Sequence, residues 1–328
     1  MKVLLKALFF IFIFSISSVV LAAPAANDFS AIRALGVKNQ FVGQNQIPIN
    51  SYFYSKGLSS KLIIVSPGWS EPALLYLEFV KDFLVRGYDI AILDHRGQGE
   101  SGRFLDCQCS HVDSFQNYVA DLVSFIEQSS QKSKYKEVIL FGHSMGGAIA
   151  ALAAHQRPER IDKLVLSAPL FQTNTREIPL WLAQALTKSL VLFGFGESRR
   201  PFDKDRTPSF ETNKWTQSKK RWQLAKRTGD SLSVPKIRYF TNQWLNEVFK
   251  MTGEIQKKGG DLFVRPTLLL QAETDYFVSN EAHSQICGAS SLCRIEKIPK
   301  SWHSLFLDED RPRLAAIEAT EDFLSEKK

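Results

Sequence analysis

Long apolar runs are almost absent from this sequence, and after the first 23 of its 328 residues no stretch is apolar enough to span a bilayer. The exception is residues 1–23, in which Lys2 and Lys6 precede an apolar run that ends in Ala22 and Ala23. A basic start, an apolar middle and a small-residue end predict a secretory signal peptide. An uncleaved N-terminal anchor is the alternative. We therefore expect an exported protein, periplasmic or secreted, with membrane association left open.

Cysteine is also scarce, with four residues that fall into two close pairs: Cys107 and Cys109, Cys287 and Cys293. None lies near the end of the apolar run, which argues against a lipid-modified N-terminus. Neither pair has the spacing and histidine neighbours of a structural zinc site, so no metal is predicted. In an exported chain an even number of cysteines favours disulfides. Cys287 and Cys293 can bridge, whereas Cys107 and Cys109 can pair, stay free or bond elsewhere, because a Cys-x-Cys bridge strains the preferred geometry.

The sequence lacks any recognisable nucleic-acid-binding motif, although basic residues exceed acidic ones. Its 41 Lys and Arg against 34 Asp and Glu give a formal net charge of +7, and loss of Lys2 and Lys6 with the signal peptide lowers this from +7 to +5. Without a motif, so modest an excess predicts no nucleic-acid partner.

One stretch present in the chain, residues 136–154, combines a strand, an abrupt turn and a helix. Residues 137–141 are apolar and β-rich, residues 145–154 are small and helix-forming, and the turn between them reads G-x-S-x-G around Ser144. This pattern is typical of a nucleophile elbow, which holds a strained serine above the edge of a sheet. Gly142 and Gly146 leave room for the close passage of strand and helix. An ordinary glycine-rich turn is the alternative.

A serine needs a base, and the base an acid, before it attacks at neutral pH. In proteins with this elbow the acid and then the base follow on loops after later strands. Residues 266–272 predict one such strand, after which Asp275 is the favoured acid and Glu273 the competing choice. Residues 293–298 predict the last strand, and the loop after it carries His303, the expected base. The other five histidines are expected to be structural or exposed.

Four stretches resemble the serine α/β-hydrolase superfamily, and within it the bacterial lysophospholipase and monoacylglycerol lipase branch. They are residues 66–71, the D-x-R-G-x-G-x-S run and the Gly-Arg after it over residues 94–103, residues 142–147, and the loops of Asp275 and His303. The likeness spans residue 62 to the end of the chain. Where many relatives have His-Gly after the first long strand, this chain has Pro67-Gly68, as lysophospholipase-like members do. The resemblance implies an oxyanion hole formed by the backbone N–H groups of Trp69 and Met145.

The alternation of predicted strands and helices gives an α/β fold with a mostly parallel sheet, covered on both faces by helices. We expect an α/β-hydrolase core over residues 24–169 and 263–328, entered through a hairpin within residues 27–53. Residues 170–262 lose the alternation and are expected to form a helical lid. Asp94, Arg96 and Ser101 are expected to hold their own loop together.

The predicted lid is rich in aromatic and basic residues, and two interpretations remain open. Its rings can simply point inward with its charges outward, as in any helical cap. Alternatively, the rings line an acyl pocket while the cations meet phosphate head groups or an anionic membrane surface.

The function expected is a serine carboxylic-ester hydrolase that acts on monoacyl lipids, either lysophospholipids or monoacylglycerols, through an acyl-enzyme on Ser144. The resemblance favours these substrates, and the reaction needs no cofactor. A small-ester or peptide hydrolase, an acyltransferase and a non-catalytic binding protein of the same fold are the alternatives, because fold and triad do not set the substrate.

Overall fold

The structure is a computed structural model that describes residues 29–57, 59–130, 134–175, 178–200, 209–234 and 236–326. The signal peptide predicted over residues 1–23 lies outside these ranges. Among the described residues, no helix has the length and apolar character needed to cross a membrane.

In the ranges that the structure describes, eight strands form one sheet and two further short strands pair with each other. In chain order the strands are β1 (Val37–Val42), β2 (Pro48–Tyr54), β3 (Lys61–Ser66), β4 (Asp89–Leu93), β5 (Cys109–Ser110), β6 (Glu137–His143), β7 (Lys163–Ser167), β8 (Tyr239–Phe240), β9 (Thr267–Ala272) and β10 (Cys293–Ile298). The sheet order is β1-β2-β4-β3-β6-β7-β9-β10. Among the described strands of this sheet, only β1 with β2 and β2 with β4 run antiparallel, so the prediction of a mostly parallel sheet is confirmed.

Helices cover both faces of the sheet, as predicted. In chain order they are α1 (Ser30–Ala34), α2 (Leu77–Val85), α3 (Gln116–Ser129), α4 (Met145–Gln156), α5 (Leu180–Leu192), α6 (Lys219–Ser231), α7 (Asn242–Lys258), α8 (Asn280–Gly288) and α9 (Asp310–Ser325). One core lies between the sheet and helices α3, α4, α7 and α8, and a second lies on the opposite face beneath α2 and α9. The central strands are buried on both sides, which explains their unbroken apolar sequences.

The segment between β7 and β9, residues 168–266, is here called the insert. It contributes helices α5, α6 and α7 and strand β8. Arg221 anchors α6 to the core, because its guanidinium bonds Glu78 on α2 at 2.8 Å and Asp310 on α9 at 2.6 Å. Strand β8 pairs in parallel with β5, which ties the insert to the loop that follows β4.

Of the two interpretations left open for the insert, inward-facing rings describe α7 but not α5. Trp244 on α7 is buried and donates its indole N–H to the hydroxyl of Tyr118 on α3 at 3.2 Å. Around α5 the large apolar side chains face outward instead, and Trp181 is 69% and Phe193 79% exposed. The α5 region therefore leaves an apolar surface uncovered.

Both cysteine pairs form disulfides. Cys287 and Cys293 join the end of α8 to the start of β10, as the sequence allowed. Cys107 and Cys109, whose pairing the sequence left open, also bond to each other, at the start of β5.

Candidate active site

Ser144 stands at the junction of β6 and α4 in a backbone conformation that few non-glycine residues adopt, with φ 52° and ψ −120°. The turn is held by Ser167, whose carbonyl accepts the Ser144 N–H at 2.9 Å. A Cβ at Gly142 would lie 2.6 Å from the carbonyl oxygen of Gly146. One at Gly146 would overlap the backbone carbonyls after β3. The structure thus forms the strand, turn and helix that the G-x-S-x-G pattern predicts.

His303 lies between Ser144 and Asp275 in an unbroken chain of contacts. Its Nε2 is 2.8 Å from the Ser144 Oγ, and its Nδ1 is 2.7 Å from the Asp275 Oδ2. An ionised carboxylate accepts the Nδ1 hydrogen, which leaves Nε2 free to accept the serine proton. The side chains of His303 and Asp275 are almost fully buried.

Asp275 keeps its negative charge in spite of this burial. Burial raises its pKa, but the neighbouring His303 ring and the backbone N–H groups of Phe277 and Val278 outweigh burial and hold the pKa of this carboxyl below its ordinary value. The two N–H groups donate to Oδ1 at 2.8 and 3.0 Å. Glu273, the competing acid, instead accepts the backbone N–H of Lys300. The structure therefore places Asp275, and not Glu273, against the histidine.

The two expected oxyanion donors lie on the helix that begins after the serine and on a loop that packs against the glycine turn. Met145 is the first residue of α4, and Trp69 lies on the loop after β3, which the glycine turn packs against directly. Within the described ranges, no hydrogen bond is made by the backbone N–H of either residue. The Trp69 indole is fixed by its bond to the Ser110 hydroxyl at 2.7 Å. An oxyanion hole needs N–H groups aimed at the developing charge, and the role of these two groups stays a prediction.

A second polar cluster, which the sequence arguments did not find, supports the Trp69 loop. The Glu71 carboxylate accepts the Gly68 N–H at 2.9 Å and the Tyr76 hydroxyl at 2.6 Å. The His143 ring lies between this cluster and the site, with its centroid 5.0 Å from that of His303. Burial lowers the pKa of His143 despite the nearby Glu71, so the ring is neutral. The place of His143 just before the serine was the only signal in the sequence.

The loop after β4 is held as the sequence predicted by Asp94 and Ser101, whereas the prediction was wrong for Arg96. The buried Asp94 carboxylate accepts the N–H groups of Ala73 and Glu100, and the Ser101 hydroxyl donates to the Asp94 carbonyl at 2.6 Å. The Arg96 side chain leaves its own loop and forms a two-bond contact with Asp121 on α3 at 2.7 and 2.8 Å. The loop is therefore anchored to the helix layer as well as to itself.

The insert is attached to the loop that carries His303. Asp308, which is fully buried, accepts the Trp302 N–H at 2.6 Å with one carboxylate oxygen and the Gln217 N–H at 2.7 Å with the other. The Thr216 hydroxyl donates to the Leu307 carbonyl at 2.6 Å. Insert residues 213–218 thus lie directly on the histidine loop.

The fold and the contact chain from Ser144 through His303 to Asp275 define a hydrolase of the serine α/β-hydrolase class. A protein-family profile described as serine aminopeptidase, S33, matches residues 58–310. The match covers most of the chain, which therefore belongs to this family, Hydrolase_4, as the sequence resemblance implied.

Known proteins with similar sequences and folds agree with this assignment. Lysophospholipase L2 of Escherichia coli (strain K12) is 30% identical over 301 residues, which cover 87% of this chain and 86% of that protein. Human monoglyceride lipase is 33% identical over 125 residues, 38% of this chain and 39% of that protein. A soluble variant of monoglyceride lipase from Saccharomyces cerevisiae has the same fold, with a TM-score of 0.69, 16% identity and coverage of 88% and 95% of the two chains.

Proposed function

We propose that this protein hydrolyses carboxylic esters of monoacyl lipids through an acyl-enzyme on Ser144. The observation that carries the proposal is the hydrogen-bonded chain from the Ser144 hydroxyl through His303 to Asp275. In this scheme His303 takes the serine proton as Oγ attacks the ester carbonyl, and Asp275 holds the histidine in the tautomer that accepts it. His303 then gives the proton to the leaving alcohol.

Charge builds up on the carbonyl oxygen during this attack, and the backbone N–H groups of Trp69 and Met145 are the proposed donors that stabilise it. Losing one such donor costs about 3 kcal/mol of transition-state stabilisation in enzymes of this type. Water attacks the acyl-enzyme in the second half of the reaction, with His303 again as base, and releases the fatty acid. The residues and water account for every proton, so the scheme uses no cofactor.

The choice of monoacyl lipids is supported by the similar proteins named lysophospholipase L2 and monoglyceride lipase, and by the uncovered apolar surface of α5. Hydrolysis of small esters or peptides, and transfer of the acyl group to another alcohol, would use the same residues. A binding protein without catalysis is disfavoured, because it has no need of the hydrogen-bonded serine, histidine and carboxylate.

The deciding experiment is fatty-acid release from lysophosphatidylcholine and from monoacylglycerol by the mature protein, beside its Ser144→Ala variant. Serine-dependent release from either lipid supports the proposal, and Ser144→Ala should lower turnover by several orders of magnitude. If neither lipid is cleaved, or if the variant cleaves as fast as the wild type, the proposal is wrong. A fluorophosphonate probe then tests whether the serine is reactive at all, and short esters and peptides become the next substrates.

We also propose that the protein is exported and that its α5 region contacts a lipid surface. Trp181, Leu192 and Phe193 are all more than two-thirds exposed, and burying such side chains in a membrane interface is favourable by about 2 kcal/mol each. Two disulfides support an oxidising compartment. Sequencing the N-terminus of the protein recovered outside the cytoplasm tests export, which predicts cleavage near residue 23.

A further inference from the structure

Lys214 of the insert lies against two rings that neighbour the candidate catalytic residues in the chain. Its Nζ is 5.1 Å from the ring centroid of Tyr276, which follows Asp275, and 5.8 Å from that of Trp302, which precedes His303. The two rings meet edge to face at 6.0 Å. The ammonium group is thus held over both catalytic loops at once.

The backbone around Lys214 is fixed to one of these loops. The Asn213 side chain accepts the N–H groups of Trp215 and Thr216 at 3.1 Å each. The carbonyl of Trp215 in turn accepts the N–H of Ser304 at 2.9 Å. Lys214 therefore starts from a backbone position that is set relative to His303.

No carboxylate in the part of the chain that the structure describes forms an ion pair with Lys214, and its side chain is partly exposed. Arg221, by contrast, is paired with Glu78 and Asp310 in the same insert. Aromatic faces attract a cation by roughly 0.5–2 kcal/mol, less than a carboxylate does when it is well paired and desolvated. The two rings therefore hold the Lys214 ammonium in a defined position, and its charge stays available to an anionic ligand.

We propose that Lys214 binds the phosphate of a lysophospholipid head group while Ser144 attacks the ester, and so makes lysophospholipids the preferred substrates. The inference rests on the proposed ester hydrolysis and adds the substrate class. In such a lipid only a glycerol unit separates the ester from the phosphate. Because the Lys214 ammonium lies over the rings that neighbour His303 and Asp275 in the chain, we assign that phosphate to it. A monoacylglycerol offers it no charge to bind.

The test compares Lys214→Met with Lys226→Met as a matched control. Lys226 is also an insert lysine over an indole ring, with its Nζ 5.8 Å from the centroid of Trp222, but that ring is on α6 and not on a catalytic loop. For each protein, kcat/KM is measured on lysophosphatidylethanolamine and on monoacylglycerol with the same acyl chain, below their critical micelle concentrations. Labelling by a fluorophosphonate probe verifies that each variant is folded and reactive.

We expect Lys214→Met to lose roughly 10- to 100-fold in kcat/KM on the lysophospholipid, because a charge-assisted bond to phosphate is removed. On monoacylglycerol the change should be under about twofold, since no such bond exists there. Lys214→Arg should retain most of the lysophospholipid rate, and Lys226→Met should retain all of it.

Equal losses on both substrates, or none on either, would overturn the role of Lys214 while the ester hydrolysis itself stands. If the wild type cleaves only monoacylglycerol, the role of Lys214 is likewise overturned while ester hydrolysis stands. If it cleaves neither lipid, both proposals are wrong. Glycerophosphoethanolamine should inhibit the wild type more strongly than inorganic phosphate at equal concentration. If both compounds inhibit equally, Lys214 recognises phosphate alone and not the lipid head group, and the head-group assignment is wrong.

Discussion

The backbone N–H of Ser304 donates a hydrogen bond to the carbonyl of Trp215 at 2.9 Å, which joins the insert to the residue that follows His303. The bonds from Thr216 and Gln217 to the same loop reinforce this connection. Residues 213–218 are therefore part of the frame that holds the histidine. If a portion of the insert moves to admit substrate, α5 is better suited to do so, because its outer face is not packed against the core.

The assignment of the acid predicts different effects for two neighbouring carboxyl groups. Asp275→Asn should lower kcat about 10⁴-fold, because an amide cannot hold the tautomer of His303 in which Nε2 accepts the serine proton. Glu273→Gln is the matched control and should change kcat less than about threefold, since that side chain bonds the Lys300 backbone and not His303. Steady-state kinetics on the preferred lipid measure both. A larger loss in the Glu273 variant would reverse the assignment.

Gly→Ala substitutions at two positions, one in the glycine turn and one in α7, should change the free energy of unfolding in opposite directions. At Gly146 a methyl group would overlap the carbonyl oxygens of Ser66 and Pro67, which belong to backbone and cannot move aside cheaply. Gly146→Ala should therefore lower the free energy of unfolding by about 2 kcal/mol or more. At Gly253, inside α7, no described atom beyond the helix's own backbone and the chain neighbours lies within 4 Å of the added methyl, and Gly253→Ala should raise the free energy of unfolding by about 0.5–1 kcal/mol. Urea unfolding of both variants provides the comparison, and a stable Gly146 variant would contradict the packing argument.

The buried ring of His283 should make the free energy of unfolding depend on pH. Burial lowers its pKa to about 4, even though its Nε2 bonds the Pro169 carbonyl at 2.6 Å. In the unfolded chain the ring titrates near 6.5, so between these values the unfolded chain binds more protons. The free energy of unfolding should thus fall as the pH drops from about 6.5 towards 4, by up to about 1.4 kcal/mol per pH unit from this group. Above about 6.5 the group has no effect.

His283→Gln tests this assignment, because glutamine keeps an N–H donor for the Pro169 carbonyl but does not titrate. The variant should lose that part of the slope between pH 4.5 and 6.5 in urea unfolding. Burial also lowers the pKa of His95, to about 3. Because His95 titrates in both the wild type and the variant, its contribution cancels when their slopes are compared. Identical slopes would show that His283 is not held neutral in the folded state.

The exposed rings near α5 predict membrane binding. Replacing Trp181 and Phe193 together by serine should weaken partitioning onto phospholipid vesicles roughly 100-fold or more, because each ring contributes about 2 kcal/mol when it leaves water. Leu314→Ser is the control, since Leu314 is an exposed apolar residue, 49% exposed, that lies on α9, outside the insert. Sedimentation with vesicles measures the partitioning. Equal binding by the double variant and the wild type would rule out this surface as the contact.

The sequence located the elements near the site closely. The strand predicted over residues 293–298 matches β10 at both ends, and the strand and helix around Ser144 lie where the pattern placed them. These patterns work because a buried parallel strand must be apolar throughout and a tight turn needs glycine. The outward-facing rings of α5 were not predictable, since an apolar helix has the same sequence whether a core or a lipid covers it.

Sequence alone determined the fold class, the order of serine, acid and base along the chain, and their placement on loops after parallel strands. Tertiary structure decided which side chains meet. It selected Asp275 over Glu273, put His143 and Glu71 beside the site, and brought Lys214 onto the rings of Tyr276 and Trp302. The reason is physical: periodicity and turn chemistry act over a few residues, whereas these contacts depend on a strand order that differs from the chain order and on how the insert folds back over the sheet.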